Sequence, residues 1–526
     1  MRIIFKGGSA WSPGLGVFEG LAIEDGHIQA VGPEALKMTG EVIDLDGGFL
    51  LPGFIDGHAH PIFAGREAQG PKVNNLQSVE AIKEEVARFA KANPYESWII
   101  GGAYEAAIIS GGDFDAHWLD EVVSDRPVVL HAVDHHTIWV NSKALEIAGI
   151  TAKTKDPDGG TIARRDDGSP KGTLREPIAF DLILKHATAD SIKSDLQAIK
   201  YAMRQMNLAG ITSSTECWVE TPMAEAYIEA AKTGELTVDM NLAFLVTPQN
   251  WQDQIAQIQE LRAQISELPK SSHLKANTIK FLTDGALSSG TAALNEPYLD
   301  NPESSGLLIW DDDNLLDAAA SFDMLEFQLH IHAIGDAAIK QSLNTVEAVQ
   351  RINPGWDRRP VIVHAQLIDS QDLQRFSQLG VIANFQPLWC YLDPMNKELI
   401  EPRIGSARNN RQYQLRTLLD LETKISFGSD WPVTSHKPLE ALQVPVLRKL
   451  PNNNGEAWNI SEAITIEESL TAYTAGSAYQ LFREKEVGAL EIGMRANLVI
   501  LDKSPFEAKN LQIVALWRDG EEIKVS

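Results

Sequence analysis

Two histidines, His58 and His60, close a short apolar stretch in the segment GFIDGHAHP (53–61). Side chains two residues apart on a strand point to the same face, so both imidazoles are expected on one side of a strand end. From there they can reach one divalent cation at about 2.0–2.1 Å. The pair alone is weak evidence, but the apolar strand before it and the flanking Gly and Pro favour a metal-ligand pair.

A lysine lies inside a second apolar stretch, TIKFLTDG (278–285). Burial of a charged ammonium group is costly, so Lys280 must extend to solvent, form an ion pair or lose its charge. A solvent-reaching or ion-paired lysine is the commoner case. A neutral amine could instead capture carbon dioxide and become a carbamate that bridges two cations. The sequence leaves both explanations open.

Three further apolar stretches end in polar residues: HIHAIGD (330–336), VIVHAQ (361–366) and ISFGSDWP (425–432). A single histidine or aspartate at a strand end is usually structural. All five segments in one chain predict a site at the C-terminal ends of parallel strands, where barrel enzymes place their catalytic groups. His330 and His332 face the same way; we select His332 because it is nearer the strand end, and the role of His330 stays open.

The segments between these motifs alternate helical and strand patterns, as expected for βα units and a parallel sheet. The segment SIKSDLQAIKYAMRQMNLAG (191–210) predicts an amphipathic helix, and GITSSTE (210–216) a following strand. The first fifty and the last forty residues alternate apolar and polar positions around Asp-Gly and Gly-Gly turns, which is typical of β-structure. We therefore expect an α/β fold, a (β/α)8 TIM barrel, with a small β-sandwich domain formed by both chain termini.

The order HxH, lysine, histidine, histidine, aspartate resembles the amidohydrolase superfamily. The segments FIDGHAHP, IKFLTDGAL, HIHAIGDAAI, HAQ, FGSDWP, DHHTIWVNSKAL, GTLREP and GMRANLVILD are similar to its YtcJ-like branch, over essentially the whole chain. Characterised members of that branch include hydrolases of N-substituted formamides and related amides. The resemblance therefore implies fold and metal chemistry strongly, and the substrate much less so.

The resemblance also implies a role for each matching side chain. Six residues would hold two divalent ions: His58, His60, Lys280, His332, His364 and Asp430. The first histidine pair would hold the more buried ion, and Asp430 would be both a ligand and the general base. A carboxylated Lys280 would bridge to a second ion on the other two histidines.

Strand counting gives the domain organisation. In the superfamily these ligands lie on strands one, four, five, six and eight. Only GITSSTE and MNLAFLV (240–246) lie between strands one and four, provided that 66–185 is an insertion, which we expect to cap the site. The expected domains are a β domain from 1–50 and 479–526, and a hydrolase barrel over 51–478.

Candidate substrate-binding residues come from the cap and from one strand end. Glu176 in GTLREP and His136 in DHHTIWVN could reach the substrate, although both could equally serve the folding of the cap. Arg175 and Arg66 are the basic residues nominated for a substrate carboxylate, and Trp431 follows the catalytic aspartate. Aromatic residues near the strand ends and in the cap suit an apolar substrate: Phe114, Trp118, Trp139, Phe385, Trp389, Tyr391 and Trp431.

The chemistry expected from this donor set is hydrolysis by an activated water. Two neighbouring cations lower the pKa of a shared water toward neutrality, and Asp430 would pass its proton to the leaving nitrogen. Nitrogen and oxygen ligands suit Zn²⁺, with Mn²⁺ or Fe²⁺ as alternatives. The leading hypothesis is cleavage of a C–N amide bond. The alternatives are a lactone or ester hydrolase or a deaminase on the same site, and a non-catalytic ligand-binding barrel.

Composition excludes several other classes. A formal net charge of −26 disfavours nucleic acid and anionic membranes as partners. Two cysteines without a CxxC motif exclude a disulfide framework and a multi-thiolate zinc site. No export signal or long apolar run is found, so the expected location is cytoplasmic. The expected partner is a small-molecule substrate, and a homodimer is left open.

Overall fold

Eight parallel strands form the centre of the fold in the computed structural model, which describes residues 1–157, 159–187, 192–452, 454–508 and 510–524. They follow one another in chain order around the sheet. Their bounds are β1 Phe54–Ala59, β2 Ile211–Val219, β3 Asp239–Leu245, β4 Leu274–Leu282, β5 Gln328–Ala333, β6 Val361–His364, β7 Ile382–Phe385 and β8 Ile425–Phe427. The strand order predicted from the ligand motifs is therefore confirmed.

Backbone hydrogen bonds join the last strand to the first. The amide of Asp430 donates to the carbonyl of His58, and the amide of His60 donates to the carbonyl of Trp431, both at 2.7 Å. These two bonds lie just beyond the ends of β1 and β8. The eight strands thus form a nearly closed barrel, and its closure brings together residues from opposite ends of the chain.

The barrel strands are buried on both faces. In β6, the sequence VIVH has every side chain buried, as does IANF in β7. Strands of a parallel sheet covered by helices show such continuous burial rather than alternation. A polar side chain in one of these strands consequently has no solvent to face and requires a partner inside the protein.

Helices connect and cover the strands. The helix Asp336–Ile352 shows why: Ile339, Leu343 and Val346 are buried at helical spacing, which gives one apolar stripe toward the barrel. The α-helices are Pro33–Leu36, Pro61–Glu67, Val79–Ala92, Ala116–Asp120, Ser142–Ile147, Pro177–Leu184, Ile192–Leu208, Thr221–Lys232, Trp251–Ser266, Asp312–Met324, Asp336–Ile352, Leu373–Gln378, Glu401–Asn409, Leu415–Asp420, Pro438–Ala441, Val444–Leu447, Ile466–Thr471 and Ser477–Gln480. Residue 191, where the sequence predicts a helix to begin, lies outside the described residues.

Both chain termini contribute to β-sheet outside the barrel. A four-stranded sheet contains Arg2–Lys6, Leu21–Glu24, His27–Val31 and Glu41–Asp44. A six-stranded sheet contains Ser9–Ser12, Gly16–Phe18, Phe49–Pro52, Leu498–Leu501, Ile513–Arg518 and Glu521–Glu522. The strand Leu498–Leu501 pairs antiparallel with Phe49–Pro52, which confirms the terminal β-structure built from both chain ends. The domain boundaries themselves stay a prediction; that between 50 and 51 falls inside a strand.

The segment after β1 forms a separate five-stranded sheet. Its strands are Ile99–Tyr104, Val128–Ala132, Thr137–Val140, Thr161–Arg164 and Pro170–Arg175. Two aromatic residues that the sequence nominated for the substrate pocket, Phe114 and Trp139, instead pack on each other in the core of this cap, with ring centroids 4.8 Å apart.

Among the described residues, none of the helices has the length and apolar character needed to span a membrane.

Candidate metal centre

Six candidate ligands meet at the C-terminal end of the barrel. His58 lies in β1, Lys280 in β4 and His332 in β5, His364 ends β6, and His60 and Asp430 follow β1 and β8. None of the six is more than 9% exposed. The structure therefore brings the six side chains that the sequence selected as metal ligands to one buried region.

The first group contains His58, His60 and Asp430. The Oδ1 atom of Asp430 lies 3.1 Å from Nε2 of His58 and 3.0 Å from Nε2 of His60. One ligand atom from each residue lies within 4.8 Å of the other two. Two imidazole nitrogens around one carboxylate oxygen are a donor set suited to a divalent cation.

The outer nitrogens of this histidine pair face a buried histidine and a carboxylate. Nδ1 of His58 lies 2.9 Å from Nε2 of His330, and Nδ1 of His60 lies 3.6 Å from Oε1 of Glu216 in β2. Metal-binding histidines commonly donate their second ring N–H to such a group, which fixes the ring orientation. The inner Nε2 atoms are therefore the ones available to an ion.

His332 and His364 form a second group, with ring centroids 4.6 Å apart. Nδ1 of His364 is 2.7 Å from Oε1 of Gln386, which leaves Nε2 for an ion. In His332 it is Nε2 that faces the carbonyl oxygen of Gly285, at 3.3 Å. The two histidines consequently present different ring nitrogens, Nε2 and Nδ1, to the interior.

Burial keeps most of these imidazoles neutral. It holds the pKa of His58 and His332 well below the usual value, and the charge of Lys280 adds to the effect. Burial also lowers the pKa of His364 to about 4. His60 is different: burial alone would lower its pKa, but hydrogen bonds to Asp430 and Glu216 raise it. Neutral imidazole is the form that binds a metal ion.

A lysine side chain usually reaches solvent or forms an ion pair, and in the described part of the chain Lys280 does neither. Its side chain is 2% exposed, and no hydrogen bond or ion pair joins its ammonium nitrogen to the described residues. Burial lowers the pKa of Lys280 to about 8, although Cys217 and Asp430 act in the opposite direction. A substantial fraction of the amine is therefore neutral at mildly alkaline pH.

Asp430 is held as a carboxylate. Burial alone would raise its pKa, but its close contacts with the His58 and His60 imidazoles hold it well below the usual value. Among the described residues no partner is seen for its second oxygen, Oδ2. One carboxylate oxygen is thus fixed by the histidine pair and the other is available to a water or substrate.

Three candidate residues have left-handed backbone conformations that side chains rarely adopt. The φ angle is 70° at Glu176, 72° at His364 and 56° at Asp430. Such conformations cost about 1–3 kcal/mol each and persist where the surrounding structure enforces them, often at functional sites. His364 and Asp430 lie at the C-terminal ends of β6 and β8, whereas Glu176 follows the strand Pro170–Arg175 of the separate sheet.

Glu176 and His136 reach the site from the cap. Oε2 of Glu176 lies 2.8 Å from Nδ1 of His136, and Oε1 accepts a hydrogen bond from Thr291 at 2.5 Å. The ring of His136 is 5.6 Å from that of His332, centroid to centroid. Burial alone would lower the pKa of His136, but the charge of Glu176 raises it to about 9. A cationic imidazole therefore stands beside the second ligand group.

The other candidate substrate residues already have protein partners. Arg175 donates to Asp113, and Arg66 donates to Asp195 at 2.8 Å. Trp431 is buried and packs on His436 with a centroid distance of 4.3 Å. Their roles in substrate binding stay predictions.

Sequence reasoning missed several residues of the site. Glu216 and Gln386 support the ligands described above, and Cys217 lies beside His330, with Sγ 3.7 Å from Nε2. Asp56 accepts hydrogen bonds from the hydroxyl and amide of Ser429 at 2.6 and 2.9 Å, tying β1 to the loop after β8. Burial raises the pKa of Asp56 to about 6. For Glu216 and Asp56 the sequence did offer a signal, a charged residue inside a predicted strand, as in ITSSTECWV and FIDGHA.

The donor set fits a divalent cation. Nε2 of His58 is buried and has no hydrogen-bond partner among the described residues, although it faces the Asp430 carboxylate. Buried polar groups are rarely left in this state unless an ion or water completes them. The barrel and this buried donor set together define a metal-dependent hydrolase. The chain belongs to the amidohydrolase family, whose sequence model matches residues 41–523.

Relatives of known name match over nearly the full length. The chain is 30% identical to YtcJ of Bacillus subtilis (strain 168), which is named as an amidohydrolase, over 94% of this chain and 93% of that protein. It is 27% identical to N-substituted formamide deformylase of Arthrobacter pascens, over 95% of this chain and 94% of that enzyme. A crystal structure of an uncharacterised metal-dependent hydrolase from Pyrococcus furiosus aligns with a TM-score of 0.74 and 25% identity, covering 96% of this chain and all of that one.

Proposed function

We propose that this protein hydrolyses the C–N bond of a small amide, with Asp430 as the general base. The observation that carries the proposal is the position of the Asp430 carboxylate. Its Oδ1 atom lies within 3.1 Å of two imidazole nitrogens, and among the described residues no partner is seen for its Oδ2 atom. A carboxylate fixed in this way can accept the proton of an attacking water and deliver it to the leaving nitrogen.

Two divalent ions would be bound in this site, with Zn²⁺ the first choice and Mn²⁺ or Fe²⁺ next. His58, His60 and Asp430 would hold one ion, and His332 and His364 the other. When bound, such ions supply Lewis acidity, which polarises a carbonyl and lowers the pKa of water.

Lys280 would bridge the two ions as a carbamate. Its neutral amine adds to carbon dioxide, forming an N–C bond and releasing one proton. The low pKa of Lys280, about 8, supports this step because it provides the neutral amine near physiological pH. Its burial without a protein partner supports it as well, because a bound ion would compensate the new negative charge.

His136 and Glu176 would bind the substrate from the cap. The Glu176 carboxylate keeps His136 cationic, and a cationic imidazole can donate a hydrogen bond to an oxygen that gains negative charge during hydrolysis. The 5.6 Å separation of the His136 and His332 rings supports this placement. The left-handed backbone at Glu176 fits a residue held for function rather than for folding alone.

The substrate would be a neutral amide with an apolar or aromatic body. The likeness to N-substituted formamide deformylase over 95% of the chain supports an N-substituted formamide as the first class to test. Ion pairing of Arg175 with Asp113 leaves that guanidinium less able to bind a substrate carboxylate. Trp389 packs parallel to His364, with centroids 5.3 Å apart, and offers an apolar wall beside the ligands.

The test is a substrate screen with protein reconstituted with Zn²⁺ or Mn²⁺. N-formyl and N-acetyl arylalkylamines, aryl lactones and aminopurines are incubated separately, and released amine, acid or ammonia is quantified. We expect amine release from the formyl or acetyl amines, at a rate that falls steeply in the Asp430→Asn variant. Turnover of lactones alone would contradict the proposal and indicate a lactone or ester hydrolase. Ammonia release alone would indicate a deaminase.

A further inference from the structure

The two ring nitrogens of His58 face different groups. Nε2 points to Oδ1 of Asp430 at 3.1 Å, and Nδ1 lies 2.9 Å from Nε2 of His330. The two rings are within 5° of parallel, with centroids 5.0 Å apart. A ring-to-ring hydrogen bond of normal length therefore joins His58 to a second buried histidine.

His330 lies deep in the barrel. It is fully buried in β5 and pairs in register with Lys280 of β4. Its Nε2 atom faces both His58 and the Cys217 sulfur, whereas its Nδ1 atom is buried with no hydrogen-bond partner in the described part of the chain. Among the described residues, both polar neighbours of this ring, His58 and Cys217, therefore contact it through Nε2.

We propose that His330 is a positioning residue that accepts a hydrogen bond from Nδ1–H of His58 and thereby directs Nε2 of His58 to the metal ion. This inference rests on the proposed metal-dependent function. It assigns different roles to two histidines on the same face of β5: His332 binds an ion, and His330 fixes the tautomer of a ligand. A neutral imidazole has one proton and one lone pair, so an acceptor at Nδ1 determines that Nε2 carries the lone pair.

A metal ion held by His330 itself is the competing arrangement. Ligand atoms of His58, Cys217 and His330 do lie within 4.8 Å of one another. An ion there would use Nδ1 of His58, so His58 could serve the ion beside Asp430 only after losing a second proton. Cys217 would also have to lose its proton to bind this ion. The hydrogen-bonded arrangement needs neither deprotonation.

The test compares the same substitution at two neighbouring positions. His330→Gln keeps a hydrogen-bond acceptor for His58, whereas His332→Gln removes a proposed ligand from the same face of the same strand. His330→Leu removes the acceptor. Ion content is measured by elemental analysis, and affinity by competition with a chelator. We expect His330→Gln to keep two ions with affinity close to wild type, His330→Leu to bind roughly 10–100-fold more weakly, and His332→Gln to lose one ion.

The cobalt spectrum of the wild-type protein tests the alternative without any variant. A thiolate ligand gives a sulfur-to-cobalt charge-transfer band in the near ultraviolet, and we expect no such band, with the Cys217→Ala spectrum unchanged. A band that disappears in Cys217→Ala would overturn the proposal, as would the loss of one ion in His330→Gln. If His330→Leu fails to fold, the comparison of His330→Gln with His332→Gln and the cobalt spectrum still test the proposal. Absence of any bound ion in wild type would instead contradict the proposed function.

Discussion

The carboxylate of Asp430 and the imidazole of His60 lie 3.0 Å apart although 370 residues separate them in the chain. Closure of the barrel produces this contact, because one residue follows β1 and the other follows β8. The two side chains form the first ligand group together with His58. The candidate metal centre therefore depends on the junction between the first and last strands.

Asp430→Asn tests the general base. We expect the fold to be retained and turnover to fall by roughly 10²–10⁴-fold, because an amide cannot accept the proton of the attacking water. Rates, circular dichroism and ion content are measured on the same samples, so that a lost ligand is distinguished from a lost base. If the ions remain and the rate barely changes, the base is elsewhere, and Glu176 is the first residue to examine.

Lys280→Ala tests the carbamate bridge. We expect loss of most activity and of one of two bound ions, with partial recovery when a short carboxylic acid such as acetate is added, because the bridge is a carboxylate group and not the lysine stem. Lys275→Ala is the matched control, since Lys275 lies on the same strand with its side chain 43% exposed. Full activity in Lys280→Ala would end the carbamate hypothesis.

Glu176→Gln tests the substrate-facing imidazole. The Glu176 charge raises the pKa of His136 to about 9, so the cationic form should persist below that pH and be lost above it. Without that charge the pKa falls, and the alkaline limb of the kcat/KM profile should move to lower pH. Ion content should stay the same. An unchanged pH profile would indicate that His136 does not act as a cation in turnover.

The candidate ligands could be selected from the sequence because each one follows a local pattern: a polar residue ends an apolar strand. His58, Lys280 and His364 are recognisable in this way from a few neighbouring residues. Their supporting partners are not, since the contact between His60 and Glu216 requires the register of β2 against β1. Strand β2 also extends to Val219, beyond the predicted end at residue 216, and so places Cys217 inside the barrel.

Ion pairs between charged residues that are distant in the chain could not be predicted from the sequence either. Arg175 and Asp113 are 62 residues apart in the chain, and only the folded cap brings them together. The cap aromatics Phe114 and Trp139 failed as pocket residues for a related reason. A large apolar side chain packs equally well in a hydrophobic core and in a binding pocket, and the sequence alone does not distinguish the two.

Asp239→Asn tests a buried charge network far from the ligands. Asp239 starts β3, is almost fully buried and contacts Arg483 and Arg495 at 2.8 and 2.9 Å and His273 at 2.6 Å. Burial alone would raise its pKa, but these partners hold it well below the usual value. Removing one partner of a buried ionic network costs about 3–5 kcal/mol, and we expect that loss in the free energy of unfolding at pH 7.

The pH dependence of that loss follows from the direction of the Asp239 pKa shift. A lowered folded-state pKa contributes stability above the unfolded value of about 3.9 and loses it as the pH falls toward the folded value. The difference in the free energy of unfolding between wild type and Asp239→Asn is measured with urea. It should therefore be constant near neutrality and shrink below about pH 4. Asp519→Asn, which removes a more exposed partner of Arg495, should cost far less. A pH-independent difference would show that packing, not charge, accounts for the loss.

The last prediction concerns the charge of the substrate. Arg175 and Arg66 are the basic residues nominated for a substrate carboxylate, and each is ion-paired to an aspartate. An anionic substrate must also approach a protein with a net charge of −26, which slows encounter. We therefore expect N-formyl and N-acetyl arylalkylamines to have higher kcat/KM than the N-acyl amino acids of matched side chain. Raising the salt concentration should narrow that gap by screening the repulsion. Strong preference for the carboxylated set would contradict this expectation, and Arg175→Gln would then identify whether that guanidinium leaves Asp113 to bind the substrate.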